Sequence, residues 1–166
     1  MPKSARLRAL DYARQYVGTK ESPPGSNRGP LIDKWNRAAG VPKGSPWCMS
    51  FLRACFKLAG VTLGGGASVG FFEEWAVQHG ELIVRRPFKG DVVCYRWDSD
   101  DWPDHVAIVE KVLALRWRGK AFVGWIQTVE GNTSAGVRGS QANGGGVYRR
   151  RRWVSRCKFV RIGDPA

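Results

Sequence analysis

The periodicity of the apolar residues changes once along this chain, at Asp91, and that change constrains the fold more than any other feature. Upstream, apolar residues recur at helical spacing. Leu7, Leu10 and Val17 do so over residues 1–17 among Arg6, Arg8 and Arg14, and Leu31, Ile32, Trp35 and Ala39 do so until Gly40 stops them. A third helix runs from Cys48 to Gly60, and Ser68 is placed to cap a fourth holding Phe71, Phe72, Trp75 and Ala76 and ending at His79-Gly80. Downstream, the runs 91–97, 105–115, 120–129, 147–154 and 157–162 read as strands. Helices first and a mainly antiparallel sheet afterwards is the α+β pattern, with the Cys48 helix laid on the sheet.

The connections fit this division. Residues 21–30 and 41–46 are loops by composition, and Gly64-Gly65-Gly66 lacks the spacing and the lysine of a phosphate loop. The 166 residues are read as one domain with one core, too short for two full-sized domains. With 43% hydrophobic residues a disordered chain is excluded, and no stretch is long and apolar enough to be a membrane span. The first seventeen residues lack the continuous apolar stretch of a secretion signal, so no signal peptide is expected.

A net charge of +13 points to a polyanionic partner, either nucleic acid or an anionic cell envelope. The arginine run Arg149-Arg150-Arg151-Arg152 concentrates that charge. It is read either as a solvated strand that resists edge pairing or as an anchor on phosphate-rich polymers or lipid headgroups. Cys48, Cys55, Cys94 and Cys157 form no CxxC pair and no Cys/His cluster, so neither zinc nor a disulfide framework is indicated. Cys55 and Cys94 read as buried thiols.

Cys48 is different. It follows Ser45-Pro46-Trp47, a proline turn opening directly into an apolar helix, so its sulfur faces the positive end of a helix dipole, which favours the thiolate. His105 begins an apolar strand after the polar loop 98–104, which puts it at an edge of the sheet within reach of substrate. Glu130-Gly131-Asn132 ends the next strand. Cysteine, histidine and an acid or amide so arranged make a hydrolytic site. Trp47 and Asn27 are the candidate substrate contacts.

Four segments in this order resemble the CHAP domain, the cysteine, histidine-dependent amidohydrolase/peptidase of phage endolysins and bacterial wall enzymes. They are Pro46-Trp47-Cys48-Met49-Ser50-Phe51, Lys89-Gly90-Asp91-Val92-Val93, Asp104-His105-Val106-Ala107-Ile108-Val109 and Thr128-Val129-Glu130-Gly131-Asn132. The resemblance implies a papain-like fold and peptidoglycan hydrolysis without a cofactor, as N-acetylmuramoyl-L-alanine amidase or peptide endopeptidase. Cys48 is then the nucleophile, His105 the base, Glu130 the group that orients it, and Asn132 a support sharing a strand face with Glu130. An endolysin-like monomer made in a host bacterial cytoplasm and released to the wall is expected. Some relatives bind calcium just before the nucleophile, but residues 36–47 hold no carboxylate, and the acidic loop 98–104 lacks the glycine and glutamate of an EF-hand. No metal is expected. A papain-like hydrolase of ordinary proteins remains an alternative, as does a basic nucleic-acid-binding domain, although no binding motif accompanies the charge.

Overall fold

The computed structural model describes residues 2–136 and 138–163. Four helices come first: α1 (Ala5–Gln15), α2 (Pro30–Ala38), α3 (Cys48–Leu58) and α4 (Val69–Gln78). Six strands follow: β1 (Leu82–Val84), β2 (Val92–Tyr95), β3 (His105–Trp117), β4 (Phe122–Thr133), β5 (Gly146–Val154) and β6 (Cys157–Arg161). They form one antiparallel sheet in the order β1-β6-β2-β3-β4-β5, so the architecture is α+β, as the change of period predicts. Strand β1 is absent from the sequence reading; three residues give too little alternation to register. No helix among the described residues is long and apolar enough to cross a membrane.

Helix α3 organises the core. Met49, Phe51, Leu52, Cys55 and Phe56 are all buried, so the helix is wrapped rather than laid on a surface, with the sheet and the other N-terminal helices around it. Tyr16, Trp35 and Phe51 meet edge to face, with Tyr16–Trp35 centroids 5.1 Å and Trp35–Phe51 centroids 5.2 Å apart. Truncating one such buried aromatic typically costs about 3–5 kcal/mol. Alternation along β3 sends Val106 and Ile108 to this core and Ala107 and Val109 to a second cluster with Val93, Tyr95, Ile126, Val154 and Phe159.

One glycine sets the separation of α3 and β4. A Cβ on Gly131 would lie 2.7 Å from Phe51 Cδ1 and 2.8 Å from Phe51 Cβ, closer than carbon atoms pack. Only a residue without a side chain lets the helix approach here, and that approach brings the first residue of α3 toward the end of β4.

Candidate active site

Cys48 is the first residue of α3, after the N-cap Trp47. It is 8% exposed, a thiol in a narrow opening rather than on an open surface. Trp47 is fully buried, its Nε1–H donating to Glu21 Oε1 at 2.9 Å and its ring 5.8 Å from that of Trp35. This corrects the expectation that Trp47 contacts substrate: the indole is enclosed by the core it braces and has no face toward solvent.

His105 is the first residue of β3, paired with Tyr95 of β2. Strand β3 is internal to the sheet and the imidazole is wholly buried, so the edge position expected for it does not hold. It lies at the end of a strand, not at the edge of the sheet. Nε2 is 3.1 Å from Glu130 Oε2. Nδ1 has no regular hydrogen-bond partner, while the Cys48 thiol is close enough to raise the basicity of the ring, which makes Nδ1 the nitrogen left for the sulfur. Trp97 stacks on the imidazole at 5.4 Å with 23° between planes, and Tyr95 stacks on Trp97 at 5.2 Å.

Glu130 is fully buried in β4 and gathers three donors. Thr128 Oγ1 donates to Oε1 at 2.6 Å, and Arg152 of β5 donates through Nε to Oε1 at 2.9 Å and through Nη2 to Oε2 at 2.6 Å. Burial pushes the Glu130 carboxyl up, but Arg152 and His105 outweigh it and bring it down to about 2. Burial likewise pushes His105 down, and the hydrogen bonds and charges of Cys48 and Glu130 outweigh that, raising it to about 9. The carboxylate therefore stays ionised between two cations at neutral pH.

The structure thus brings together Cys48, His105 and Glu130, and adds Thr128, Tyr95 and Trp97, which the sequence does not mark, and Arg152, which the sequence marks only as part of a possible anchor. Arg152 was hidden in a charge run. Cross-strand register is the signal that would have found it: Ile126 opposite Arg152 and Thr128 opposite Arg150 put the arginines of even number on the Glu130 face.

The same register corrects the reading of the run as one anchoring patch, because alternate residues of a strand face opposite ways. Arg149 pairs with Glu110 at 2.9 Å, and Arg150 donates to the carbonyls of Ala135 and Gly136 and to Gln141. Arg152 holds Glu130. Only Arg151 is exposed with no ion-pair partner among the described residues.

Asn132 does not share a face with Glu130 in an unbroken strand. The pairing of β4 with β5 shifts between Glu130 and Thr133, and Asn132 has φ 58, in the left-handed region. Its Nδ2 donates to Ala142 O at 3.4 Å and its Oδ1 is buried without a partner. Asn27 also has a left-handed φ of 53 and is half-buried in the loop before α2.

Three carboxylates of the acidic loop accept from nearby backbone N–H groups, while Asp101 pairs with Arg96 at 3.2 Å. Asp98 accepts from Asp100 N–H at 3.2 Å, Asp100 from Trp102 N–H at 2.8 Å and Asp104 from Trp97 N–H at 2.5 Å. Among the described residues no group of three or more His, Cys, Asp or Glu could hold a metal ion. A cleft of 690 Å³ between α4 and residues 96–103 touches none of Cys48, His105 and Glu130, so chemistry and not cavity size places the site.

No curated protein and no solved structure matches the chain significantly. The family model described as the CHAP domain matches residues 40–132, more than half of the chain, and its span takes in Cys48, His105 and Glu130. Such membership carries a hydrolase function of the amidase or peptidase kind acting on peptidoglycan in general terms, and this chain belongs to the CHAP family.

Proposed function

We propose that the protein is a cysteine-dependent peptidoglycan hydrolase of the phage endolysin kind, cutting an amide of the wall as N-acetylmuramoyl-L-alanine amidase or as peptide endopeptidase. The single observation that carries this reading is the polarity of His105. One nitrogen is held 3.1 Å from a buried carboxylate, and the other is left for the Cys48 thiol.

Each step follows from that arrangement. With the Cys48 proton held on His105 Nδ1, the thiolate attacks the carbonyl carbon of the scissile amide. The oxyanion is met by backbone N–H groups at the start of α3, that of Cys48 among them. The imidazolium, favoured at neutral pH by a basicity raised to about 9, protonates the leaving amine as the C–N bond breaks. Water, losing its proton to the now neutral His105, hydrolyses the thioester and returns the thiol. Glu130 fixes the ring orientation and stabilises the imidazolium, Arg152 and Thr128 hold Glu130, and Asn132 supports the chain just beyond it.

Asn27 is the proposed contact to the substrate. Its side chain makes no hydrogen bond to another described residue, so the amide is open to a peptide or acetamido group. Its loop adjoins the segment delivering Cys48, since Ser26 O lies 3.8 Å from where a Cβ of Gly44 would stand. The anionic envelope around peptidoglycan suits the charge of +13, and a monomer released from a bacterial cytoplasm is the form we propose to act there.

Digestion of purified peptidoglycan followed by mass spectrometry of the fragments tests the reading and names the bond. New termini at a lactyl–alanine or stem-peptide amide are expected with the parent, and a loss of at least about a thousandfold with Cys48→Ala. Undiminished cleavage by that variant, or casein cut while walls stay intact, overturns it.

A further inference from the structure

Beyond the active site, the most unusual surface is the far end of the β3–β4 hairpin. Strand β3 is buried from His105 to Glu110, and after that every residue through Trp117 is exposed or half-buried. The turn 118–121 follows, and the hairpin stands clear of the helical layer. Trp117 and Trp125, with Trp153 of the neighbouring β5, are each nearly half exposed, and Val112 and Leu113 are exposed too. The rings meet in pairs, Trp117–Phe122 at 5.2 Å and Trp125–Trp153 at 5.5 Å, both edge to face. Register puts the pairs on opposite faces: Ala114 is opposite Trp125, whereas Trp117 is opposite Phe122, three residues further along β3.

The charge is one-signed. Between Glu110 and Glu130 the sequence holds Lys111, Arg116, Arg118 and Lys120 and no acidic residue. None of these four, nor Arg151 beside Trp153, has an ion-pair partner among the described residues. Exposed aromatic patches on soluble domains mark contact surfaces, and unpaired cations around one specify an anionic partner.

We propose that this hairpin tip docks on the surface of an anionic phospholipid bilayer, its aromatic rings entering the headgroup region and its cations pairing with lipid phosphates. Tryptophan is suited to that boundary, with an apolar body and a polar N–H. A hydrated polyanion would neutralise the cations and leave apolar surface on both faces of the hairpin in water. Edge-to-face ring pairs also offer no flat platform for stacked sugars or bases. His105 begins the strand that Trp117 ends, so the docked tip lies up to about 40 Å from the active site at roughly 3.3 Å per residue. Docking by the tip would hold the active site away from the bilayer surface.

The test is co-sedimentation of the full chain with equimolar phosphatidylglycerol/phosphatidylcholine vesicles and with pure phosphatidylcholine vesicles. The parent should partition onto the first far better than the second, with added salt weakening it. Replacing Arg116, Arg118 and Lys120 together by glutamine should lower partitioning on the order of a hundredfold, at roughly a fivefold loss for each cation removed from the surface. Trp117→Ala with Trp153→Ala should lower it about tenfold or more, and brominated lipid tails should quench the parent's fluorescence. These sites are exposed, so circular dichroism of both variants should match the parent. Failure to sediment with anionic vesicles overturns the proposal. So does a tryptophan variant that binds as the parent does while inorganic polyphosphate competes, which would mark a polyanion site. Partitioning is read without hydrolysis, so a failure of the proposed enzymatic function would leave this result standing by itself.

Discussion

Arg152 grips Glu130 through two bonds, Nε–H to Oε1 at 2.9 Å and Nη2–H to Oε2 at 2.6 Å, and the second oxygen is also the one that His105 reaches. A side chain from an edge strand thus fixes the group that fixes the histidine. Planar two-point donation is a property of arginine that lysine cannot copy.

Removing the grip should therefore cost both stability and turnover. Arg152→Met leaves a buried carboxylate with one cation fewer and is expected to destabilise the fold by about 3 kcal/mol, the usual cost of breaking a buried pair. Arg152→Lys should recover part of the stability and less of kcat. Thermal melts and wall-clearance rates on the same samples check this, and an Arg152→Met variant of parental stability and rate would assign Glu130 to other supports.

The two shifted groups bound stability at opposite ends of pH. Glu130 is ionised in the fold down to about 2 against about 4.5 in the unfolded chain, so its contribution is present above about pH 4.5 and is lost as pH falls toward 2. His105 is raised to about 9 against 6.5, so its contribution is present below pH 6.5 and is lost as pH rises through 9. Glu130→Gln removes one of the groups that raise His105, and the imidazole should then titrate lower. The chain has two histidines, so ring-proton NMR can follow His105 beside His79 as an internal control. An unchanged His105 titration in Glu130→Gln would mean that the carboxylate does not set it.

The roles within Glu130-Gly131-Asn132 can be ranked. Glu130→Gln keeps the shape and loses the charge, so its kcat should fall, though by less than in His105→Ala. Asn132→Ala puts a Cβ-bearing residue without a local hydrogen bond at φ 58 and should cost about 1 kcal/mol of strain with a milder loss of kcat. A larger loss of kcat in Asn132→Ala than in Glu130→Ala would exchange the two assignments.

How much of this was legible in the sequence depended on the range of the interactions. The order of helices and strands, the proline turn into α3 and the cap of Ser68, whose Oγ accepts from Phe71 N–H at 3.4 Å, are local and could be read along the chain. Register is not local. Whether Arg152 is solvated or grips Glu130 depends on which residue of β4 it faces. Whether Asn132 lies beside Glu130 depends on a shift in pairing that a two-residue period cannot announce. Trp47 was misread for a related reason: its carboxylate partner Glu21 is remote in sequence, and proximity to Cys48 suggested the cleft where the fold has core.

Gly131 links these levels and gives the sharpest test of the geometry. Its missing Cβ is what lets Phe51 of α3 lie against β4, so Gly131→Ala must either push the helix off the strand or strain the strand. Overpacking of this kind costs about 1–3 kcal/mol. Because Cys48 begins the displaced helix while His105 and Glu130 remain on the sheet, kcat should fall more than the loss of stability alone accounts for, when assayed well below the melting temperature. Phe51→Leu alone should be destabilising, since it trims a buried aromatic. In the double variant the shorter side chain relieves the added methyl, so the two costs should be less than additive and part of the activity should return. Additive losses in the cycle, with Gly131→Ala retaining full turnover, would show that the approach of α3 to β4 does not set the distance between thiol and imidazole.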